Sequence, residues 1–187
     1  MTGFLKVFTG PMFSSKSTGL IEHLRRAKIA RKSVILFKPA VDNRYSETAV
    51  VSHNGDKLEA AVVTSTDSTT ILCRGADFEV IGVDEIQFFD TSLIAALNAL
   101  ASGGKEVVVA GLNADFMGEP FDTTAQAIHY ADRVEKLTSV CALCGNDAVW
   151  TQLVCDGVAI TDGNRVQVGG AETYEPRCRG CFVRKES

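Results

Sequence analysis

Three short stretches of this 187-residue chain carry residue types at spacings that can do chemistry. The first is Gly10-Pro11-Met12-Phe13-Ser14-Ser15-Lys16-Ser17, which reads G-x-x-x-x-S-K-S. A loop of this kind between a strand and a helix turns successive backbone N–H groups toward an anion, and the helix dipole adds positive potential there. Lys16 then reaches the terminal phosphates of a nucleotide, and the Ser17 hydroxyl completes the shell of a Mg²⁺ ion. Ser15 stands where the pattern has glycine. A side chain there crowds the backbone, or strains it if the loop needs positive φ, so nucleotide affinity is the quantity this departure bears on. The bland alternative is a serine-rich turn with no ligand.

The second stretch is Asp84-Glu85, directly after the apolar run Phe78 to Val83. An acid at a strand's carboxyl end lands beside a phosphate loop and can hold Mg²⁺ directly or through water. Glu85 adds a carboxylate at the same edge; hydrolases use one to position water, kinases use one as a base. Alternatively, both acids simply cap the next helix. The third is the pair of Cys-x-x-Cys units, Cys141 to Cys144 and Cys178 to Cys181. Two such knuckles supply the four thiolates that structural Zn²⁺ prefers. The intervening segment, Gly145 to Arg177, becomes a closed loop able to lie over something, and it contains Thr151, Gly169-Gly170 and Tyr174. Cys73 and Cys155 lack such partners and read as small buried hydrophobes. His23, His53 and His129 sit apart and receive no chemistry.

The elements that must position these groups follow from apolar periodicity. Leu5 to Thr9 reads as a buried strand, and Leu20, Ile21, Leu24 and Ala27 recur at helical spacing within Thr18 to Lys32. Ser33 to Phe37 is a second strand, which makes the unit a right-handed parallel crossover. Ala40 to Gly55 is a long polar loop at a strand's carboxyl end, where open α/β sheets bind ligands. Its Arg44 either meets phosphate or is merely solvated. Leu58 to Val63 forms a short strand, Ser68 to Arg74 a short helix and Phe78 to Val83 a strand. Thr91 to Ala101 is a helix, and Glu106 to Gly111 a strand buried on both faces. The loop from Leu112 to Phe121 is rich in exposed aromatic and apolar side chains, which either wall a pocket for a base or sugar or pack under the sheet. A helix near Thr123 to Asp132 and a strand near Val134 to Val140 complete the parallel unit. The fold class is α/β, a P-loop parallel sheet flanked by helices.

Composition is that of a globular protein, 45% hydrophobic and 22% charged. A net charge of −4 argues against a dedicated nucleic-acid binder. No basic leader or long apolar segment opens the chain, and no stretch approaches the roughly 18 residues of a membrane span. Six cysteines without a signal peptide fit a reducing compartment, so the chain reads as cytoplasmic.

Gly10 to Ser14, Asp84-Glu85-Ile86-Gln87-Phe88-Phe89, the two cysteine pairs and Gly170-Ala171-Glu172-Thr173-Tyr174 together resemble the cellular-type (type II) thymidine kinases, in order and along almost the whole chain. The resemblance implies ATP-dependent transfer of the γ-phosphate to the 5′-hydroxyl of thymidine, with Mg²⁺ and a structural zinc. It implies a P-loop domain over 1–140 and a zinc-binding lasso domain over 141–187 that covers the nucleoside. Glu85 matches the family's proton acceptor, Gly10 to Ser17 (including Pro11, Met12 and Phe13) the ATP loop, and Asp84, Glu85, Ile86 and Gln87 a second nucleotide-contacting stretch. Asp42, Asn43 and Arg44 resemble a third segment near phosphate and metal. Phe116 and Tyr174 match nucleoside-pocket residues, with Met12, Leu112, Phe121 and Thr151 further pocket residues shaped for the thymine 5-methyl. Arg165, Val166, Gln167, Val168 and Gly169 fall where the family reads the base through backbone groups. A homotetramer inhibited by thymidine triphosphate is also implied.

Three rivals are weighed against this. A nucleoside-monophosphate kinase places its four-cysteine lid in the middle of the chain, whereas here the pairs fall at the carboxyl end. A GTP-hydrolysing switch needs Asn-Lys-x-Asp, which Asn113-Ala114-Asp115 does not supply. A zinc-ribbon nucleic-acid binder draws on Arg177, Arg179, Arg184 and Lys185, which a solvated tail explains more simply. A member weakened by Ser15 is the remaining alternative.

Overall fold

The computed structural model describes residues 3–41, 49–51, 57–163 and 173–184. In chain order these begin with β1 (Phe4–Gly10), α1 (Lys16–Ile29), β2 (Val34–Pro39), β3 (Ala49–Val51), β4 (Lys57–Glu59), β5 (Ala61–Val63) and α2 (Ser68–Gly75). There follow β6 (Val80–Val83), a short 3₁₀ turn (Ile86–Phe88), α3 (Ser92–Ser102), β7 (Glu106–Leu112), α4 (Asp122–Tyr130) and β8 (Arg133–Lys136). Among the described residues, the last part holds β9 (Ser139–Val140), β10 (Asp147–Ala148), β11 (Trp150–Cys155), β12 (Val158–Ile160) and β13 (Tyr174–Arg177).

Six strands form one sheet in the order β5-β2-β6-β7-β1-β8, and each neighbouring pair is parallel. Alternation along the central strands splits the core into two layers. Leu5 and Val7 of β1, with Val107 and Val109 of β7, face Leu93, Ile94 and Leu97 of α3 and Ile71 of α2. Phe8, Val108 and Ala110 point the other way, onto Leu20, Ile21 and Leu24 of α1. Those α1 residues are 0–1% exposed. Each side chain buried this completely contributes about 1.5–3 kcal/mol, so the apolar stripe fixes how α1 lies across the sheet. That placement aims its amino end at the loop after β1.

Most strands and helices fall where periodicity puts them, with three corrections. The single strand expected over Leu58 to Val63 divides at Ala60: β4 pairs antiparallel with β3, whereas β5 joins the main sheet beside β2. β3 also lies inside the stretch read as one long polar loop. The strand expected over Val134 to Val140 divides into β8, all four residues exposed at the sheet edge, and β9, paired antiparallel with β10. Cys73 and Cys155 are exposed rather than buried. Cys73 lies on the outer side of α2, whose inward residues are Ile71 and Gly75, and Cys155 sits at the hairpin end of β11. No helix among the described residues is long and apolar enough to cross a membrane.

Candidate active site and metal centre

The loop between β1 and α1 is held by its own polar atoms. Ser14 Oγ donates to the Pro11 carbonyl at 2.8 Å, and Lys16 Nζ donates to the same oxygen at 2.5 Å. Phe13 and Ser15 both adopt the left-handed region, at φ 63 each. The positive φ anticipated at Ser15 is therefore present, and its side chain is exposed. Gly10 cannot be replaced: a Cβ there would lie 2.4 Å from the Leu137 carbonyl oxygen. The first turn of α1 holds no acidic residue, so nothing opposes the positive end of its dipole.

Across the sheet edge, β6 delivers Asp84 to this loop. Ser17 Oγ donates to Asp84 Oδ1 at 3.1 Å, and the Glu85 amide donates to that same oxygen at 3.0 Å. Asp84 is 3% exposed, so Ser17, Asp84 and Glu85 converge through a single buried carboxylate. Neither acid serves as an ordinary helix cap. Glu85 occupies the residue before the 3₁₀ turn at φ 52, and its side chain makes no capping bond. Its carboxylate instead receives Gln87 Nε2, while Gln87 Oε1 accepts the Leu112 amide at 3.0 Å. The capping carboxylate seen elsewhere is Asp67, which accepts from the Thr70 amide at the start of α2.

The aromatic loop after β7 is not exposed at Phe116 or Phe121, which are 2% and 8% accessible. Asp115 pins this loop by accepting the Met117 and Glu119 amides, each at 2.9 Å. Phe116 packs with Leu153 and Tyr174, and Met12, Phe13, Met117 and Ile160 lie against them. The phosphate loop, the loop after β7 and the β11–β13 sheet thus share one apolar cluster. Polar contacts tie the same three pieces together. The Met12 amide donates to Thr151 Oγ1 at 2.9 Å, and Asn113 Nδ2 donates to the Val149 carbonyl at 3.3 Å. Leu112 is half-buried at the end of β7. Leu153, Ile160 and Asn113 escaped sequence reading, because nothing in their types distinguishes a wall residue from ordinary core. Asp42, Asn43, Arg44, Arg165, Val166, Gln167, Val168 and Gly169 lie outside the described residues.

The four expected cysteines come together. Sγ atoms of Cys141, Cys144, Cys178 and Cys181 all lie within 4.8 Å of one another, and those of Cys144 and Cys178 are 3.6 Å apart. Thiolates about 2.3 Å from a tetrahedral zinc stand about 3.8 Å from each other, so this donor set fits that ion. Backbone bonds build the knuckles: Gly145 N to Cys141 O at 3.0 Å, Cys181 N to Cys178 O at 3.2 Å, and Ala142 N to Pro176 O at 2.9 Å across them. Burial resists ionisation of Cys141, but backbone groups of Cys178, Leu143 and Cys144 at its sulfur outweigh this and bring it down to about 6. Hydrogen bonds with Cys178 and Cys144 push Cys181 up to about 12. Among the described residues, three basic groups near this end are occupied. Arg177 pairs with Glu175, and the Arg179 and Arg184 guanidinium carbons lie 5.8 and 4.9 Å from the Trp150 ring centre.

A parallel sheet whose first strand feeds a phosphate loop, faced by an acid from the strand two places away, defines the class: a P-loop protein of α/β architecture, here with a carboxyl-terminal four-cysteine cluster. The family model described as thymidine kinase matches residues 3–182. A thymidine kinase of Thermococcus kodakarensis is 46% identical over 182 residues, covering 95% of this chain and 92% of that one. One from Pyrobaculum aerophilum is 48% identical, covering 96% and 98%. The structure of the genome packaging NTPase B204 from Sulfolobus turreted icosahedral virus 2 in complex with ATP-gammaS overlays at a TM-score of 0.49 and 16% identity, covering 74% of this chain and 76% of that one. The chain belongs to the thymidine kinase family, ATP-dependent phosphotransferases.

Proposed function

We propose that the protein transfers the γ-phosphate of ATP to the 5′-hydroxyl of thymidine, with Glu85 as the general base. The observation that carries this reading is the shared Asp84 oxygen, which gathers the Ser17 hydroxyl and the Glu85 amide at one point of the sheet edge. In the step itself, the 5′-oxygen forms a bond to the γ-phosphorus as the bond from that phosphorus to the β,γ-bridging oxygen breaks. The hydroxyl proton passes to the Glu85 carboxylate, and ADP leaves. Phosphoryl transfer depends mainly on positioning and charge neutralisation. The loop amides from Phe13 to Ser17 and the Lys16 ammonium supply these on the protein side, with Arg44 a further cation. Ser17 and Asp84 are the residues that would hold Mg²⁺, whose chemistry is to offset charge on the phosphates. Cys141, Cys144, Cys178 and Cys181 would hold zinc structurally.

The nucleoside is placed against Met12, Leu112, Phe116, Phe121, Thr151 and Tyr174. The base is read by backbone of Arg165 to Gly169, in a lasso over 141–187 that closes on a nucleotide domain over 1–140. A homotetramer with feedback by thymidine triphosphate belongs to the same reading. The test is product analysis of purified protein with ATP, Mg²⁺ and each deoxynucleoside in turn. Thymidine monophosphate formed in preference to the purine and cytosine nucleotides is the expected result. ATP binding without any deoxynucleoside-dependent ADP release would overturn the proposal.

A further inference from the structure

Gln87 lies beyond the residues that the phosphoryl-transfer chemistry uses directly, yet it is 7% exposed and its amide is bonded at both ends. Its amide orientation is fixed by chemistry rather than by choice. The Leu112 backbone N–H can only donate, so the atom facing it at 3.0 Å must be the carbonyl Oε1. The –NH₂ group therefore faces the other way and donates to Glu85 Oε2. One end of the bridge is thus anchored in the backbone at the end of β7, and the other holds one carboxylate oxygen.

We propose that Gln87 is a positioning residue for the base: by donating to one oxygen of the Glu85 carboxylate it fixes the orientation in which that carboxylate meets the substrate hydroxyl. This rests on the assignment of Glu85 as base. Two features around it serve the same end. Glu85 sits at φ 52, a left-handed conformation that an ordinary residue adopts only when its surroundings impose it. Gly111, next to the anchoring residue, leaves the space Gln87 needs. A Cβ on Gly111 would lie 3.1 Å from Gln87 Oε1 and 2.5 Å from Ile86 Cγ1. The bridge spans from the strand that leads into the nucleoside wall to the edge that carries the base. It therefore sets the base against the same framework that seats the acceptor. Misplacing a reacting group by about 1 Å can cost on the order of 100-fold in rate, so a held carboxylate is worth a dedicated residue.

The experiment is steady-state kinetics of wild type, Gln87→Glu, Gln87→Leu, Glu85→Gln and the double variant Gln87→Leu/Glu85→Gln. Gln87→Glu keeps the size and the acceptor for Leu112 N–H but cannot donate to Glu85 in its ionised form. It preserves the fold, checked by circular dichroism, where Gln87→Leu fails to. The expected result is a fall in kcat of roughly 10- to 100-fold for both Gln87 variants, with KM for ATP and thymidine within about twofold of wild type. The double variant should be no slower than Glu85→Gln by more than about threefold, because the bridge has nothing left to hold. An unchanged kcat in Gln87→Glu overturns the proposal. So does a large rise in KM for ATP at constant kcat, which would make Gln87 a nucleotide ligand. Full turnover in Glu85→Gln overturns the base assignment itself, and the positioning role with it.

Discussion

At Ser15 the backbone takes φ 63 and ψ 26, the conformation that glycine reaches freely and an L-residue reaches at a cost of about 1 kcal/mol. Its exposed side chain contributes no cap bond to α1, so nothing visible offsets that cost. Ser15→Gly should leave KM for ATP unchanged or lower it, measured with saturating thymidine. A marked rise would show the serine to be adapted to its loop. The same residue illustrates what sequence can and cannot say. Replacement of a glycine in a phosphate loop flags a demand for positive φ, and that demand is met. Whether the side chain points into the site or out of it depends on the turn's three-dimensional path, which no spacing encodes. Asp84 and Glu85 were legible for a similar reason, as acids at the end of an apolar strand. Gln87 was legible only as part of the stretch, because its bridge to Leu112 joins residues 25 apart in sequence.

Among elements, β11 is the one that couples the two ends of the chain, through Thr151 and the Met12 amide. Thr151 is 4% exposed, so Thr151→Val leaves a donor in the phosphate loop without its acceptor, at a cost of about 1–3 kcal/mol. We expect KM for ATP to rise in Thr151→Val and to recover in Thr151→Ser; equal values in both variants would deny the coupling. Helix α1 carries a different liability at His23. His23 lines a groove of about 490 Å³ with Lys6, Arg26, Lys32, Glu106 and Glu135. Burial is the main influence lowering its pKa from 6.5; Lys6, Lys32 and Arg26 add to this, and Glu106 opposes it. The unfolded chain therefore takes up the proton first as acid is added, so stability is full above about 6.5 and declines below it. His23→Gln should show a smaller fall in Tm between pH 7.5 and 5 than wild type; parallel slopes would refute this. Strand existence and type were readable from apolar runs, but the breaks at Ala60 and before Ser139 were not. Both are set by which neighbour each segment pairs with, a long-range choice.

Across the whole molecule, the four-cysteine cluster clamps β9, β13 and the tail, and through β11 it bears on both the phosphate loop and the aromatic wall. Two Cys-x-x-Cys units made the cluster readable in advance, because thiols at that spacing share a knuckle wherever the chain folds. The apolar junction of Phe116, Leu153 and Tyr174 was only half readable, since its members come from segments far apart in sequence. If zinc fills the cluster, removing it with a strong chelator should raise KM for thymidine and lower Tm together, both restored by added zinc. Loss of metal with neither change would detach the cluster from the site. The claim on which all of this turns is that the carboxylate after Asp84 takes the proton from the attacking hydroxyl. The direct measurement is kcat for Glu85→Gln, alongside thymidine and ATP affinity by calorimetry. A loss of about 100-fold or more in kcat with both affinities near wild type is the predicted result. Turnover at the wild-type rate would contradict it.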